Sequence, residues 1–82
     1  MLNLKDFNHL THLEKMVYLK KWGTYLAIRH TSVFTIKLYY VHNFYVELYF
    51  RNSCDKCEYI GNFEGTTMLE PYLKSIKLNL SY

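Results

Sequence analysis

Residues 33–51 read VFTIKLYYVHNFYVELYFR, two segments of alternating side chains that meet at His42 and Asn43. Alternation of apolar and polar side chains over such a length is typical of β-strands with one buried face. The pattern predicts a strand over 33–40, a second strand over 44–51 and a hairpin loop between them. The rest of the predicted fold is built outward from this hairpin.

The register of the hairpin depends on its faces, because a slip of one residue moves every side chain to the opposite face. A three-residue loop, 41–43, with Asn43 left-handed, places the apolar sets of both strands on one face. A two-residue turn would instead set Leu38 against Glu47. The predicted pairs are Phe34 with Phe50, Ile36 with Leu48, Leu38 with Val46, Tyr40 with Phe44 and, on the other face, Lys37 with Glu47 and Tyr39 with Tyr45.

A helix is predicted before the hairpin, over residues 12–22. Thr11 and Glu14 have the spacing of a capping box, and Gly23 is expected to end the helix in a left-handed conformation. The side chains predicted to be buried are Leu13, Met16, Val17 and Tyr18, with Trp22 in the core at the end of the helix.

Two further strands are expected, over residues 24–29 and 57–63. A short loop at 30–32 would pair Ile28 with Phe34 and Leu26 with Ile36. For the strand over 57–63, the sequence leaves open which side chains point inward: either Glu58 and Ile60, or Tyr59, Gly61 and Phe63.

A second helix is predicted from Thr67, where Thr67 and Glu70 form another capping-box pattern. Its buried stripe would be Leu69, Leu73 and Ile76. The tail, residues 76–82, alternates again and is either an extended segment or a strand added to a sheet edge.

These elements predict an α+β domain in the order α-β-β-β-β-α. It is a two-layer sandwich, in which an antiparallel meander of three to four strands carries the N-terminal and the C-terminal helix on one face. The opposite face of the sheet is expected to remain open.

The composition excludes several classes of protein. The 82 residues are 50% hydrophobic and 18% aromatic, far too apolar for a disordered chain, and they suffice for one domain over 1–82. Apolar runs such as 38–41 are much too short to span a membrane. The net charge of +3 is spread along the chain, and residues 1–6 lack the pattern of a signal peptide, so a cytoplasmic location is expected.

The predicted open face has the most unusual composition in the chain. Tyrosine and arginine are common in protein interfaces, and such side chains also stack on bases and bind phosphates. A third interpretation is an ordinary solvated surface, since tyrosine favours strands. The candidate partner-binding residues are Tyr25, Arg29, Lys37, Tyr39, Tyr45, Tyr49 and Arg51.

The order of one helix, three strands and a helix resembles the double-stranded-RNA-binding domain. That resemblance would imply a lysine cluster at the start of the second helix, but residues 65–70 contain no lysine and one acid. An RNA-recognition motif is disfavoured as well, because its glycines and its βαββαβ order are missing. Nucleic-acid binding is therefore only an alternative function.

The two cysteines, Cys54 and Cys57, have the spacing of half a zinc knuckle. His9 and His12 are the only closely spaced histidines that could complete a metal site. A redox site would need a helix after the first cysteine, whereas a strand is predicted there. Two ordinary turn cysteines, a metal-stabilised fold and a redox pair are the three interpretations, of which the first is favoured and no cofactor is expected.

No pattern for catalysis stands out in the sequence. His30 and His42 are predicted in loops at opposite ends of one strand, and Glu47 is explained by its cross-strand partner Lys37. Nucleophile elbows, phosphate loops and HExxH motifs are missing from the sequence. The expected function is therefore a non-enzymatic protein-interaction module, which includes a homodimer formed through the tyrosine-bearing face or a strand edge.

The segments Phe44-Tyr45-Val46-Glu47 and Leu69-Glu70-Pro71-Tyr72-Leu73 resemble short uncharacterised proteins of Bacteroidota bacteria. The resemblance covers most of the chain, from Leu13 to Leu78. It implies a bacterial cytoplasmic protein, and it implies no particular activity.

Overall fold

A four-stranded antiparallel meander forms the centre of the molecule, and helical elements precede and follow it. The computed structural model describes residues 2–54 and 56–72. The elements are α1 (Leu4–Asn8), α2 (His12–Trp22), β1 (Thr24–His30), β2 (Phe34–Val41), β3 (Phe44–Arg51), β4 (Cys57–Phe63) and a 3₁₀ turn (Thr67–Leu69). The predicted α+β meander is confirmed, and the predicted bounds of α2, β3 and β4 agree with the structure.

The predicted capping box at the start of α2 is formed. The Thr11 hydroxyl accepts from the Glu14 amide at 3.1 Å, and the Glu14 carboxylate accepts from the Thr11 amide at 2.8 Å. The prediction for Gly23 is wrong, since this residue is extended, with φ −80° and ψ 149°. Glycine is needed there for space, because a Cβ would lie 2.7 Å from the Leu19 carbonyl oxygen.

The predicted register of the central hairpin is wrong by one residue. Val41 pairs with Phe44 across a two-residue turn, and Leu38 therefore lies opposite Glu47. His42, rather than Asn43, has a positive φ, of 55°. Lys37 pairs with Leu48 in the backbone ladder, so the expected contact between Lys37 and Glu47 does not exist.

The physical reason for this register is that both faces of the sheet are buried. We call the face that packs against α1 and α2 the helix face. Its core combines Phe7 and Leu19 of the helices with Val41, Phe44, Val46, Leu48 and Ile60 of the strands. We call the opposite face the Tyr72 face; its core consists of Ala27, Leu38 and Tyr72, with Tyr45, Phe63 and Leu69 packed around them.

The prediction that both terminal helices lie on one face is therefore wrong. Tyr72 is fully buried on the face opposite to α1 and α2, which gives the sheet a covering on each side. Helical structure does begin at Thr67 as predicted, as a 3₁₀ turn, but the predicted capping box is wrong. The N-cap residue is Thr66, and its side chain makes no capping hydrogen bond. Leu73, Ile76 and the tail 76–82 lie outside the described residues.

The first hairpin also differs from its prediction. Arg29 pairs with Ile36, and the loop is 31–33, where the Thr31 hydroxyl accepts from the Phe34 amide at 2.9 Å. A bulge between Tyr25 and Ala27 turns these two residues to opposite faces of the sheet. The sequence left open which side chains of β4 point inward. Both alternating sets do, since Ile60 lies in the helix-face core and Phe63 packs against the Tyr72-face core.

Candidate interaction site

The seven predicted partner-binding residues do not share one surface. The two-residue turn and the bulge in β1 divide them between the faces of the sheet. The helix face carries Tyr25, Lys37 and Tyr39, while the Tyr72 face carries Arg29, Tyr45, Tyr49 and Arg51. The predicted single tyrosine platform is therefore wrong, and each face has to be considered separately.

The Tyr72 face is centred on the buried carboxylate of Glu47, which is only 6% exposed. Its Oε2 accepts from the Tyr72 hydroxyl at 2.5 Å and from Arg29 Nη2 at 3.4 Å. Its Oε1 accepts from the Tyr49 hydroxyl at 3.4 Å. Glu47 thus has three donors on its own face, whereas its predicted partner Lys37 is on the other face.

Protonation equilibria in this cluster favour a charged arginine and neutral tyrosines. Burial, followed by the hydrogen bond to Glu47, raises the pKa of Tyr72. Burial also raises the pKa of Tyr49. For Arg29, burial alone would lower the pKa, but the neighbouring Tyr72 and Glu47 outweigh it and the pKa is raised. The polar groups of this face therefore stabilise the docking of Tyr72.

Aromatic rings occupy most of the remaining Tyr72 face. They form two rows that cross three strands, with neighbouring ring centroids 5.1–5.5 Å apart. Arg51, beside one row, binds Glu58 through both Nε at 2.5 Å and Nη2 at 2.6 Å. The rows are Phe34, Tyr49 and Tyr59, and Tyr40, Tyr45 and Phe63.

The helix face contains an apolar groove of about 290 Å³ between α2 and the sheet, which none of the described residues fills. Leu48 and Phe50 of β3 lie at the sheet side of this groove, and Tyr39 of β2 borders them. The Tyr25 ring packs edge-on to Tyr39 with a centroid distance of 5.7 Å, so that the aromatic surface extends to β1. From α2 the groove is lined by Met16, Val17, Leu19 and Lys20.

The predicted buried stripe of α2 is only partly correct. Leu13 is 72% exposed and Val17 is 59% exposed, whereas Leu19 is buried and Met16 packs against the core. Trp22 is 47% exposed, so the prediction that it fills the core is wrong as well. Leu13 and Val17 are one turn apart on α2, and they form an uncovered apolar stripe beside the groove.

The charges near the groove are positive. Lys20 lines it, and Lys37 Nζ lies 5.1 Å from the centroid of the Phe50 ring. Glu14 on α2 is held in the capping box, and Glu47 belongs to the other face. The groove lining, within the part of the chain that the structure describes, includes no aspartate or glutamate.

The chain matches no protein-family model, no curated protein and no solved structure. The resemblance to Bacteroidota proteins stays a prediction.

The four candidate metal ligands are not brought together by the fold. Among residues 2–54 and 56–72, no cluster of three or more His, Cys, Asp or Glu side chains could hold a metal ion. His9 caps the end of α1 and His12 begins α2, while Cys54 is exposed in the turn before β4. Burial raises the pKa of Cys57, against the effect of backbone hydrogen bonds, and this favours the less reactive thiol form.

Within the described ranges, no helix combines the length and the apolar character that a bilayer crossing requires.

Neither the groove nor the cluster around Glu47 was predicted from the sequence in its observed form. Leu13 and Val17 were assigned to the core, although apolar residues at 13, 16, 17, 18, 19 and 22 surround α2 almost completely. A helix of this kind has more apolar surface than packing against one sheet can bury. The sequence of α2 therefore indicated that a second surface of the helix would be left for another contact. For the cluster around Glu47, the signal was one acid within the apolar alternation of β3.

Proposed function

We propose that this chain is a non-enzymatic protein-interaction module that binds a partner polypeptide on the helix face. The observation that carries the proposal is the continuity between the groove and the exposed apolar stripe of Leu13 and Val17. Contiguous exposed apolar surface with a polar rim is typical of interaction sites. The one buried carboxylate among the described residues, that of Glu47, is hydrogen-bonded to Arg29 and Tyr72 on the opposite face instead.

The dimensions of the sheet support the same conclusion. Strands lie about 4.8 Å apart and packed helices about 10 Å apart, so a four-stranded face takes about two full-length helices side by side. α1 has only five residues and covers only part of the length of one helix position. α1 lies beside β4, where Asn62 donates to Asn8 at 2.5 Å, and α2 packs through Leu19. In the described structure, no residue of β1 belongs to the helix-face core. A partner segment next to α2 would cover this part of the sheet.

The chemistry of the groove fits an interface. Aromatic side chains and methionine are enriched at interface centres, and Tyr39, Phe50 and Met16 supply them here. Burial, followed by the neighbouring Tyr25, raises the pKa of Tyr39, so its hydroxyl is neutral and can donate a hydrogen bond to a partner.

Strand pairing and nucleic-acid binding have weaker support. β1 and β4 are the edge strands of the sheet, and each has a register shift that interrupts the continuous ladder a partner strand would need. Arg29 and Arg51, the arginines that would bind phosphates, are each paired with a glutamate. A phosphate would therefore have to compete with carboxylates already in place.

The proposal can be tested by photo-crosslinking in cells that contain the protein naturally. A photoreactive amino acid is placed at Val17, beside the groove, and at Val33, which is exposed in the loop 31–33 as a matched control. We expect a covalent adduct with a distinct polypeptide from position 17 and none from position 33. Adduct patterns that do not differ between the two positions would contradict a binding site on the helix face.

A further inference from the structure

We infer that the occupant of the groove is an acidic amphipathic helix, with an apolar stripe flanked by aspartate or glutamate. The inference rests on the proposed function, because it assumes that the helix face binds a polypeptide. It adds the charge and the secondary structure of the partner segment.

The sign of the partner's charge follows from the lysines at the groove. Lys20 lines the groove, and Lys37 extends over the Phe50 ring with its ammonium group 5.1 Å from the ring centroid. Lysine side chains placed in this way cover apolar surface with their stems and keep their charge at the rim. Carboxylates that flank an apolar stripe would meet these ammonium groups, whereas lysines would be repelled by them.

The helical form of the partner follows from what surrounds the groove. Leu13 and Val17 form a ridge at the i, i+4 spacing that packs into the side-chain grooves of a neighbouring helix. The bulge between Tyr25 and Ala27 makes β1 a poor template for an added strand. An amphipathic helix in an apolar groove is a common mode of peptide recognition.

The size of the groove also indicates a polypeptide occupant. Its volume of about 290 Å³ is just below the range of small-molecule sites, which measure roughly 300–1,000 Å³. The groove continues into the exposed side chains of Leu13 and Val17, which a small ligand would leave uncovered. A few apolar side chains of a longer segment would fill the groove and cover this stripe together.

A second copy of the chain is a poorer occupant than an acidic segment. A two-fold symmetric contact brings the same patch of both copies together. Lys20 and Lys37 of both copies would then be gathered in one interface, and the described lining of the groove supplies no carboxylate to pair with them.

The test uses the full 82-residue chain and three fluorescent peptides of about 18 residues, long enough to sample a helix. The first peptide carries leucine at i, i+3, i+4 and i+7 positions, with glutamate at the flanking positions. The second has lysine in place of the glutamates, and the third has serine in place of the leucines. Binding is measured by fluorescence anisotropy at low and at physiological salt.

We expect the leucine–glutamate peptide to bind at least about tenfold more tightly than either of the other two. Its affinity should fall as salt is added, because the lysines contribute through screened charges. Val17→Glu should weaken binding at least about tenfold, whereas the matched change Val33→Glu should leave it unchanged. The double change Lys20→Glu and Lys37→Glu should make the lysine peptide the preferred ligand.

Three results would overturn the inference. Equal or tighter binding of the lysine peptide would overturn the acidic partner, and failure of all three peptides to bind would overturn the helical occupant. In both cases an adduct specific to position 17 would still support the proposed function. A dimer in light scattering that Val17→Glu converts to a monomer would show that a second copy occupies the groove.

Discussion

At the scale of single residues, Glu47 decides how the Tyr72 face is organised. A carboxylate that is 6% exposed is costly to bury unless hydrogen bonds compensate for the lost water. Arg29 supplies the opposite charge, and Tyr49 and Tyr72 supply hydroxyl donors. The position of Tyr72 on the sheet is therefore fixed by a polar contact as well as by apolar packing.

Tyr72→Phe is expected to reduce the free energy of unfolding by about 1.5–3 kcal/mol, the usual contribution of a hydrogen bond to a charged group. The ring and its packing remain, so the change isolates the hydroxyl that donates to Glu47. Urea unfolding at pH 7 measures the effect. Tyr59→Phe is the matched control, because Tyr59 is largely exposed and should change stability by less than about 0.5 kcal/mol. If both changes lowered the free energy of unfolding equally, the hydrogen bond from the Tyr72 hydroxyl to Glu47 would not be stabilising.

The raised pKa of Tyr72 also predicts a loss of stability in alkali. An unfolded tyrosine ionises near pH 10, whereas burial holds the folded group in its neutral form to higher pH. The stabilisation is therefore complete below about pH 10 and is lost as the pH rises from there towards the folded pKa. Unfolding midpoints measured between neutral and alkaline pH should decline less steeply in Tyr72→Phe. Some decline should persist in that variant, because the pKa values of Tyr39 and Tyr49 are raised too. If the midpoints of the unmodified protein and of Tyr72→Phe declined equally as the pH rises, ionisation of Tyr72 would not be a cause of the lost stability.

At the scale of secondary-structure elements, the turn between β2 and β3 is made by an unfavourable residue. His42 has φ 55°, and glycine is the residue that takes positive φ without steric cost. A positive φ at the first central residue of a two-residue turn, with a negative one at the second, is the pattern of a type II′ turn. The turn is thus dictated by the strands on either side rather than by its own sequence.

His42→Gly is expected to raise the free energy of unfolding by about 0.5–1 kcal/mol, because it removes the strain of a left-handed residue. Asn43→Gly is the control, since Asn43 does not have a positive φ and glycine there only adds freedom to the unfolded chain. It should lower stability. Thermal unfolding of the two variants measures the difference, and a destabilised His42→Gly would contradict the assigned conformation of the turn.

Most element bounds were predictable from the sequence, because they depend on local signals. The Thr11 and Glu14 capping box marked the start of α2, and alternation marked β3 and β4. The hairpin register was not predictable, because it was inferred from the assumption that only one face of the sheet is buried. Ile36 and Leu38 are in fact buried on the face opposite to Val46 and Leu48.

The candidate site could be predicted only in part. Tyr25 and Tyr39 were assigned to a binding surface together, and the structure places their rings in contact. The exposure of Leu13 and Val17 was not predictable, since periodicity does not show which side of an apolar helix the sheet will cover. Arg29 and Glu47 were placed on the same face, but their pairing was missed because Lys37 was assigned to Glu47.

At the scale of the whole molecule, the two cores share their strands. Successive residues of β2 and β3 point alternately into the helix-face core and the Tyr72-face core. Neither core can lose its order without disturbing strands that also belong to the other. The chain should therefore unfold as a single cooperative unit, as most small domains do.

Val46→Ala and Leu38→Ala test this coupling, since Val46 is buried in the helix-face core and Leu38 in the Tyr72-face core. Shortening a buried aliphatic side chain costs about 2–5 kcal/mol for leucine, and less for the smaller valine. Each change should lower the midpoint of a single unfolding transition. Tyrosine absorbance, Trp22 fluorescence and far-ultraviolet circular dichroism should all give the same midpoint. Probe-dependent midpoints in either variant would show that the two sides unfold independently.

The two rows of rings on the Tyr72 face have a spectroscopic consequence. Their centroids are close enough for the electronic transitions of adjacent rings to couple, and each row bridges β2, β3 and β4. Exciton bands from these rings would then arise as the strands pair, with separate contributions from the β2–β3 pairs and the β3–β4 pairs. The protein therefore carries an intrinsic optical reporter of sheet assembly that needs no attached label.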